Sequence, residues 1–461
     1  MRQSSSEVQH TGLSGPVAFG AGLLLLALAP LIRGGNRYVA LIGLEWLGLL
    51  VLWLLAISCF LRRNLAVQER EAAPLSQGEW VLILSPLWAA LLFLTPIPMA
   101  LWAALPGHNL YLNLPAMGWR PLSLTPDATV ASLLAGIPVV AAFVLARTAQ
   151  PALFRLLPPA LVLVALVQAV WGLLQAGPFK ELYFDAEFAG GLIGSFANSN
   201  HFSNYIAMTL PLAVFMLWRS MSRSRTDQNQ RPPVAAVLWS LALLVLLAAV
   251  LASGSRTGAI TALLVTLLAV LLLLGAVSSS SRRWYLLGAG ALLLAVLVIV
   301  GVNSLIMMRF DTGRVGDDAS FRWQLMASTW RAALAFWPTG SGPGSFAGVY
   351  PQFQPPGLRA FIEHAHSDYV QLLMELGALF VVLAGLAAWL ILRQGLALWR
   401  QARVGGLGFG SVQLQLCCGL GLLAVLLHSW VDFNLRIPAN AVLAACLLGA
   451  FLRPRSIGFM T

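Results

Sequence analysis

The sequence is poor in charged residues and has almost no lysine. Asp, Glu, Lys and Arg together make up 10% of its 461 residues, whereas a soluble domain carries roughly 25%. Lys180 is the single lysine, so the net charge of +11 comes from arginine. These arginines lie scattered between apolar runs and form no stripe along one face, which argues against a nucleic-acid-binding surface.

Cysteine is scarce as well, and its placement excludes two further classes of protein. The four cysteines all fall within apolar runs, where they indicate small packing residues: Cys59, Cys417, Cys418 and Cys446. Their spacing matches neither a disulfide framework nor a metal site. The N-terminus, MRQSSSEVQH, lacks the charged start and cleavage site of a signal peptide, so we expect the first apolar run to be a retained span.

Long apolar runs are what the sequence has in abundance. Hydrophobic residues make up 59% of it and the mean hydropathy is +0.81. Runs of about 20 residues, the length that crosses a bilayer, recur from end to end. We predict an all-α polytopic membrane protein, with residues 1–461 forming a single transmembrane domain of about twelve helices. The predicted spans are 15–32, 38–61, 80–105, 128–146, 157–176, 201–218, 234–252, 257–277, 284–308, 369–392, 411–431 and 437–452.

Arginine clusters follow alternate spans, which predicts the topology. The positive-inside rule places these clusters and both termini in the cytoplasm. The opposite, outer side then holds 106–127, 177–200, 253–256, 309–368 and 432–436.

The 309–368 segment is the longest of these outer loops. Within it, 319–338 has helical spacing, with Ser320 as an expected N-cap. Its apolar positions predict an interfacial helix with tryptophans in the lipid boundary: Phe321, Leu325, Met326, Trp330, Ala333 and Trp337. GSGPGS (340–345) predicts a tight turn whose glycines would permit a hinge.

Topology does not explain the arginines on the outer side. They include Arg256, Arg309, Arg314, Arg322, Arg331, Arg359 and Arg436. Arg256 lies in SGSRTGA (253–259), a turn between two strongly apolar spans with almost no loop to lift it into water. An ion at that depth faces a partner or a polar cavity, or else it snorkels to headgroup phosphates. In the first case its guanidinium fork suits phosphate oxygens, which predicts a site for an anionic substrate.

A second outer cluster is EHAHSDYVQLLMELGA (363–378). Its His364, His366 and Asp368 could bind a metal, but residues two apart do not share a helix face and no further ligands are evident. We therefore predict no metal. A histidine at the mouth of a membrane cavity suits a general base, and an interfacial histidine bonded to the backbone is the alternative.

Two more outer clusters are HSWVDFNLRIPAN (428–440) and GSFANSNHFSNY (194–205). His428 and Asp432 are four residues apart, so on a helix they share a face and can hydrogen-bond, with Arg436 at the outer mouth. Two roles are open for His428 and Asp432: they could orient catalytic groups, or they could pack the last two spans against each other. The polar residues of the second motif cap a helix or bind sugar hydroxyls or phosphate: Asn198, Asn200, His201 and Asn204.

Four clusters from distant parts of the chain fall on the same outer side. This convergence is stronger evidence for a site than any single cluster. A cavity that holds a general base beside phosphate-binding arginines, and that opens toward lipid, indicates an enzyme that transfers a group from a lipid-linked phosphate donor. A transporter of polysaccharide or lipid carrier is the alternative from another class. It would need coupling carboxylates near the midplane, for which Glu45 and Glu375 are the candidates.

Taken in order, these motifs resemble the O-antigen ligase and polymerase superfamily of bacterial inner-membrane glycosyltransferases. The resemblance covers residues 190–440 and rests on GSFANSNHFSNY, SGSRTGA, the long outer loop and HAHSDYVQLLMELG. HSWVDFNLRIPAN is similar to the terminal motif of a branch linked with exopolysaccharide synthesis. The resemblance implies a GT-C-like fold with short helices in the periplasmic loop.

The resemblance also implies a function. It implies an inverting enzyme without metal or other cofactor, acting on the periplasmic face of the inner membrane. Such an enzyme moves a glycan from undecaprenyl diphosphate to an acceptor hydroxyl. His366 matches the family's catalytic histidine and Arg256 an arginine that binds the donor diphosphate. Asp368 and Asp432 are expected to orient them.

One departure from the family pattern concerns a second arginine. Many relatives carry an arginine where this chain has Gly191 or Leu192, so another cation would have to serve: Arg314, Arg322 or Lys180. We predict an O-antigen ligase that joins O-antigen to lipid A–core. A polymerase of O-antigen or exopolysaccharide is the alternative within the same chemistry.

Overall fold

The fold is known from a computed structural model that describes residues 3–64, 74–111, 118–175, 191–223, 234–275, 312–358, 360–404 and 409–454. The helices are α1 Gln3–Leu28, α2 Leu31–Gly34, α3 Tyr38–Asn64, α4 Gln77–Leu94, α5 Met99–Ala104, α6 Pro126–Thr148, α7 Pro151–Phe154, α8 Leu157–Gln175, α9 Ser199–Arg223, α10 Val234–Ala252, α11 Arg256–Gly275, α12 Thr312–Ala335, α13 Phe346–Val349, α14 Asp368–Leu376, α15 Ala378–Val404, α16 Phe409–His428 and α17 Pro438–Phe451. Short 3₁₀ turns cover His108–Tyr111, Tyr350–Phe353 and Asn434–Arg436. Strands β1 (Pro96–Pro98) and β2 (Trp119–Pro121) pair antiparallel.

Within the described ranges, nine helices are long and apolar enough to cross a membrane. This confirms a multi-pass, all-α membrane protein. Two shorter apolar helices, Ser14–Leu28 and Pro438–Phe451, coincide with the first and last predicted spans. The predicted span 284–308 lies outside the described residues, so the count of twelve stays a prediction.

Two predicted spans have different bounds in the structure. The span predicted at 80–105 is wrong at its outer end, because α4 stops at Leu94 and the chain turns into β1, whose two prolines disfavour helix. The span predicted at 369–392 is two helices, α14 and α15, separated by Gly377. Gly377 has φ 57° and ψ −132°, a region essentially confined to glycine. A Cβ there would lie 2.2 Å from the Pro338 carbonyl oxygen.

Helix α9 is the centre of the bundle. It is buried without interruption from His201 to Phe215 and packs against α8, α10, α11, α16 and α17. Among the nine candidate spans it is the least apolar, and Ser203, Asn204 and Thr209 are fully buried within it. Such polar side chains are tolerated in a span when neighbouring helices shield them from lipid. Of the polar motif predicted at the start of this helix, His201, Ser203 and Asn204 are therefore inside the protein, whereas Asn198 and Asn200 are half-buried.

At the end of the bundle that is predicted to be cytoplasmic, two arginines tie helices together. Arg147 on α6 forms an ion pair with Glu79 on α4 at 2.5 Å, and both side chains are buried. Arg453 donates to the carbonyl oxygens of Ala146 and Ala149, at 2.7 Å each. These arginines therefore have a structural role in addition to the topological one predicted from the sequence.

The outer segment packs as a small layer with its own apolar core. Its main helix, α12, begins at Thr312, so the prediction of Ser320 as its N-cap is wrong. Buried residues of α12, α13, α14 and the segments next to them form the core: Leu325, Ala332, Ala333, Phe336, Phe346, Val349, Tyr350, Ile362, Ala365 and Met374.

The apolar positions of α12 divide between two faces. Leu325 and Ala333 are buried in the outer core, whereas Trp323, Trp330 and Trp337 are 67%, 47% and 44% exposed. The sequence pattern combined both faces into one, because helical spacing alone does not separate residues that pack inward from those that face outward. Placement of the tryptophans in the lipid boundary stays a prediction.

The turn that follows α12 is held tightly against α14. Ser341 N–H donates to the Met374 carbonyl oxygen at 3.0 Å, and Gly342 N–H donates to the Glu375 carbonyl oxygen at 2.9 Å. A Cβ at Gly340 would lie 2.5 Å from the same Glu375 oxygen. In this conformation the glycines predicted as a hinge serve close packing.

Candidate active site

Asp432 is the buried carboxylate on which several predicted polar residues converge. It lies in the turn of residues 429–437 between α16 and α17, called here the outer turn. Its Oδ2 accepts a hydrogen bond from Asn200 Nδ2 at 2.7 Å, and its Oδ1 accepts one from the Phe433 backbone N–H at 2.9 Å. Two imidazoles face that Oδ1, His366 Nδ1 at 3.3 Å and His201 Nε2 at 3.6 Å. Three distant parts of the chain therefore meet at one carboxylate.

The surroundings of Asp432 favour its ionised form. Burial alone would raise the pKa of this carboxyl, but the imidazoles of His201 and His366 hold the pKa well below its usual range. A buried carboxylate without such partners would be costly. Asp432 is thus a fixed negative charge that can orient the ring of His366.

His366 has an uncommon backbone conformation. Its φ is +51°, in the left-handed region that few non-glycine residues adopt. Hydrogen bonds hold the chain on both sides of it: Ala365 N–H donates to Gln371 Oε1 and Asp368 N–H to the Ser429 carbonyl oxygen, both at 3.0 Å. The side chain is 24% exposed. A proton on Nδ1 would point at Asp432 and leave the Nε2 lone pair available as a base.

Phe433 is the hydrophobic centre of this site, and sequence reasoning missed it. Three imidazole rings surround its ring, with centroid distances of 4.4 Å to His364, 4.6 Å to His201 and 4.9 Å to His366. Burial, followed by the nearby charge of Arg436, lowers the pKa of His364 to about 3. His364 is therefore neutral near pH 7 and packs as a ring. The sequence signal for Phe433 was its place inside HSWVDFNLRIPAN, next to Asp432.

Glu375 and Arg436 form a second charged pair near these rings. Arg436 Nη2 lies 2.6 Å from Glu375 Oε2, which also accepts the Gly344 backbone N–H at 3.1 Å. Gln371 Nε2 donates to Glu375 Oε1 at 3.0 Å. Sequence reasoning had considered Glu375 as a coupling carboxylate of a transporter. In the structure it is buried beside the outer turn, with its charge paired.

Arg256 begins α11 at the same end of the bundle. Ser255 caps this helix, because its Oγ accepts the Gly258 N–H at 3.1 Å. A Cβ at Gly258 would lie 2.1 Å from Ser203 Oγ, so the first turn of α11 packs directly on α9. Ser203 Oγ in turn donates to the Asn200 carbonyl oxygen at 2.9 Å. Arg256 thus lies beside the part of α9 that contacts Asp432.

Residues 191 and 192 have no room for an outward-facing arginine. A Cβ at Gly191 would lie 2.1 Å from the Ser253 carbonyl oxygen. Leu192 is buried in the main hydrophobic core. This backbone therefore leaves no space at either position for a long side chain such as arginine.

Comparison with known proteins identifies one family. Residues 241–390 match the family model described as O-antigen ligase. The resemblance to the O-antigen ligase and polymerase superfamily is confirmed. Comparison with curated proteins gave no significant match.

The matched region, residues 241–390, contains part of the candidate site. Arg256, His366 and Glu375 lie within its bounds. The Asp432 carboxylate and the polar start of α9 lie outside them, and the fold adds both to the site. The predicted region of 190–440 is wider than the matched one and stays a prediction.

One predicted contact within the site is wrong. α16 ends at His428, so Asp432 lies in the outer turn and does not stack on His428 along a helix face. The chain changes direction there, and the carboxylate of Asp432 turns toward His201, His366 and Asn200. His428 is fully buried at the end of the span.

The remaining predicted residues lie at the start of α9, beside the outer turn or outside the described part of the chain. Asn198 caps α9, because its Oδ1 accepts the Asn200 N–H at 2.8 Å. Arg322 Nη1 donates to the Val431 carbonyl oxygen in the outer turn at 3.2 Å. The side chain of Arg314 and all of Lys180 lie outside the described residues. Among the residues that the structure does describe, no group of three or more His, Cys, Asp or Glu could hold a metal ion.

Asp368 is a second buried carboxyl in the candidate site. Its Oδ2 accepts the Leu435 backbone N–H at 2.9 Å, which joins the start of α14 to the outer turn. Burial raises the pKa of Asp368 from 3.8 to about 7, although the Leu435 N–H and the positive charge of Arg436 act in the opposite direction. Folding therefore favours the protonated form of this group.

The raised pKa of Asp368 predicts a pH dependence of stability. Between about pH 4 and about pH 7 the folded protein retains a proton that the unfolded chain has released, so the free energy of unfolding contributed by this group falls as pH rises. His364, with its lowered pKa, contributes with the opposite sign over an overlapping window. We expect Asp368→Asn to remove the Asp368 part, so that its unfolding temperature in detergent gains on the wild type as pH rises. Parallel pH profiles of the two proteins would contradict the assignment.

Proposed function

We propose that this protein is a glycosyltransferase that moves a glycan from undecaprenyl diphosphate to an acceptor hydroxyl on the periplasmic face of the inner membrane. In this proposal it acts as an O-antigen ligase, with lipid A–core as the acceptor. The observation that carries the proposal is the pairing of His366 Nδ1 with the buried Asp432 carboxylate, 3.3 Å apart, at the end of the bundle where α11 begins with Arg256.

His366 is the general base in the proposed reaction. Its Nε2 takes the proton of the acceptor hydroxyl as that oxygen attacks the anomeric carbon. The bond between the anomeric carbon and the phosphate oxygen breaks on the opposite side of the carbon, which inverts its configuration. Asp432 stabilises the resulting imidazolium and holds the ring in place, as a carboxylate does beside a catalytic histidine.

Arg256 stabilises the leaving group in the proposed reaction. The departing lipid diphosphate carries away the electron pair of the broken bond, so negative charge develops on its oxygens. A guanidinium positioned beside those oxygens offers paired hydrogen bonds and positive charge in one group. Charge stabilisation of this kind supplies the role that a divalent cation has in other phosphate chemistry. We therefore propose a reaction that is independent of metal.

A defined reaction in detergent tests this proposal. Purified protein is given a lipid-linked oligosaccharide donor, a chelator, and either lipid A–core or a second lipid-linked glycan as acceptor. We expect a product on lipid A–core, detected by mass spectrometry. Product on the second lipid-linked glycan alone would identify a polymerase instead. Absence of any glycosidic product with a folded protein would favour a transporter of polysaccharide or lipid carrier.

A further inference from the structure

Arg436 has a guanidinium that is held in place while part of it stays accessible. Among the described residues its ion-pair partner is Glu375, through Nη2, and 18% of the Arg436 side chain is exposed. Glu375 itself is fixed by Gly344 N–H and by Gln371 Nε2. An arginine carries five N–H donors, so one carboxylate oxygen at Nη2 leaves further donors for another anion. Glu375 thus orients the guanidinium through Nη2, and the remaining N–H donors of Arg436 can bind an anion.

Arg436 lies in the outer turn three residues after Phe433, whose carbonyl oxygen accepts the Arg436 backbone N–H at 3.2 Å, so the guanidinium belongs to the segment on which His364 and His366 pack. Its charge contributes to lowering the pKa of His364, whose ring packs on Phe433 together with the ring of His366. The polar contacts also connect it to the His366 backbone. Glu375 binds Gln371, and Gln371 accepts the Ala365 N–H one residue before His366.

We propose that Arg436 binds the phosphate oxygens of the polyprenyl diphosphate donor as a second cation beside Arg256, an inference that rests on the proposed function. It provides the positive charge for which positions 191 and 192 have no space. A guanidinium fits phosphate oxygens in a bidentate manner, which a point charge does not. Glu375 is a positioning residue in this proposal, because it contacts Arg436 and sets the direction of its free edge.

A simple structural ion pair is the competing explanation for Arg436. In that case the arginine would only neutralise Glu375, and its exposed fraction would be incidental. The geometry favours ligand binding, because Glu375 is 1% exposed and already accepts two uncharged donors, whereas the arginine reaches toward the surface. Arg322, by comparison, uses one of its nitrogens to hold the Val431 carbonyl oxygen.

Direct binding measurements test the proposal without relying on turnover. The full chain in detergent is titrated with undecaprenyl diphosphate, undecaprenyl monophosphate, inorganic diphosphate and lipid A, and native mass spectrometry reports the bound fraction. We expect Arg436→Lys to weaken undecaprenyl diphosphate binding by about tenfold to a hundredfold, the effect of losing a charge-assisted hydrogen bond. The monophosphate and lipid A should bind the variant and the wild type alike.

Two further variants separate binding from folding. Glu375→Gln combined with Arg436→Gln removes both charges, so no buried carboxylate is left without a partner, and it should bind the diphosphate at least as weakly as Arg436→Lys. Arg331→Lys, an exposed arginine on α12, is the matched control and should bind like the wild type. Unchanged diphosphate binding in both Arg436 variants would overturn the proposal. A defect confined to lipid A would also overturn it, since the bound phosphates would then belong to the acceptor.

The binding assay and the transfer reaction can fail independently. A wild-type protein that forms no product, but loses diphosphate binding when Arg436 is changed, would refute the proposed glycosyl transfer and support Arg436 as a phosphate ligand. A wild-type protein that forms product, with variants that bind the donor normally, would support the transferase and refute the role of Arg436.

Discussion

The variant His366→Asn is expected to lower glycosyl transfer by a factor of about 10² to 10⁴, the range attributed to a general base. Asparagine is the sharpest replacement because the φ of His366 is +51°. Asparagine adopts this left-handed region more readily than other non-glycine residues, so the turn should keep its shape. Its amide cannot accept the hydroxyl proton, so the loss should fall on kcat with little change in donor binding.

The transfer reaction with defined donor and acceptor measures this loss, and thermal unfolding in detergent checks the fold. Glu363→Gln is a suitable control, because Glu363 is an exposed residue three positions earlier in the same loop. It should keep near wild-type activity. If His366→Asn transferred glycan at a rate close to that of the wild type, His366 could not be the base, and the role of Asp432 would need another explanation.

The variant Arg256→Lys is expected to lower kcat/KM by a factor of about 10² to 10³, comparable to the loss of one donor that stabilises charge in a transition state. Lysine keeps the positive charge but presents a compact ammonium in place of a planar fork. The N-cap of α11 should survive, because Ser255 Oγ and the Gly258 N–H form it without the side chain of residue 256. The defect should therefore concern substrate charge and not the fold.

Initial rates over a range of donor concentrations separate the two components of this loss. The same exchange at the exposed Arg331 is the matched control, and it should leave kcat/KM unchanged. A near-normal kcat/KM for Arg256→Lys would contradict the proposed bidentate contact with the donor diphosphate. That result would support the snorkelling arginine weighed from the sequence, in which the side chain reaches lipid headgroup phosphates.

The sequence predicted the membrane class, and it assigned to one side of the membrane several polar segments that the structure places at one end of the bundle. Long apolar runs are a strong signal, because lipid demands a continuous helical stretch of fixed length. The polar motifs around Asn200, Arg256, His366 and Asp432 were recognisable since polar residues at the edges of spans are expensive and therefore informative. The match to the O-antigen ligase family over 241–390 agrees with this interpretation.

The sequence did not predict which atoms meet. Pairing of His428 with Asp432 assumed that the helix continues through both, but α16 ends at His428 and the turn redirects the carboxylate. The break at Gly377 was also hidden, because the residues on both sides of it are apolar and resemble one continuous span. Contacts such as those of Glu375 with Gly344 and Arg436 join residues far apart in the chain, and no local pattern encodes them.

The tight junction at Gly377 makes the site sensitive to changes that never touch a ligand. Any side chain there would collide with the Pro338 carbonyl group and would also have to adopt a backbone conformation open mainly to glycine. Relief of that collision would shift α14 and carry Glu375 with it. A substitution of Gly377 would then weaken substrate binding, as a substitution in the binding site does. Its cause, however, would be a steric clash between two backbone segments.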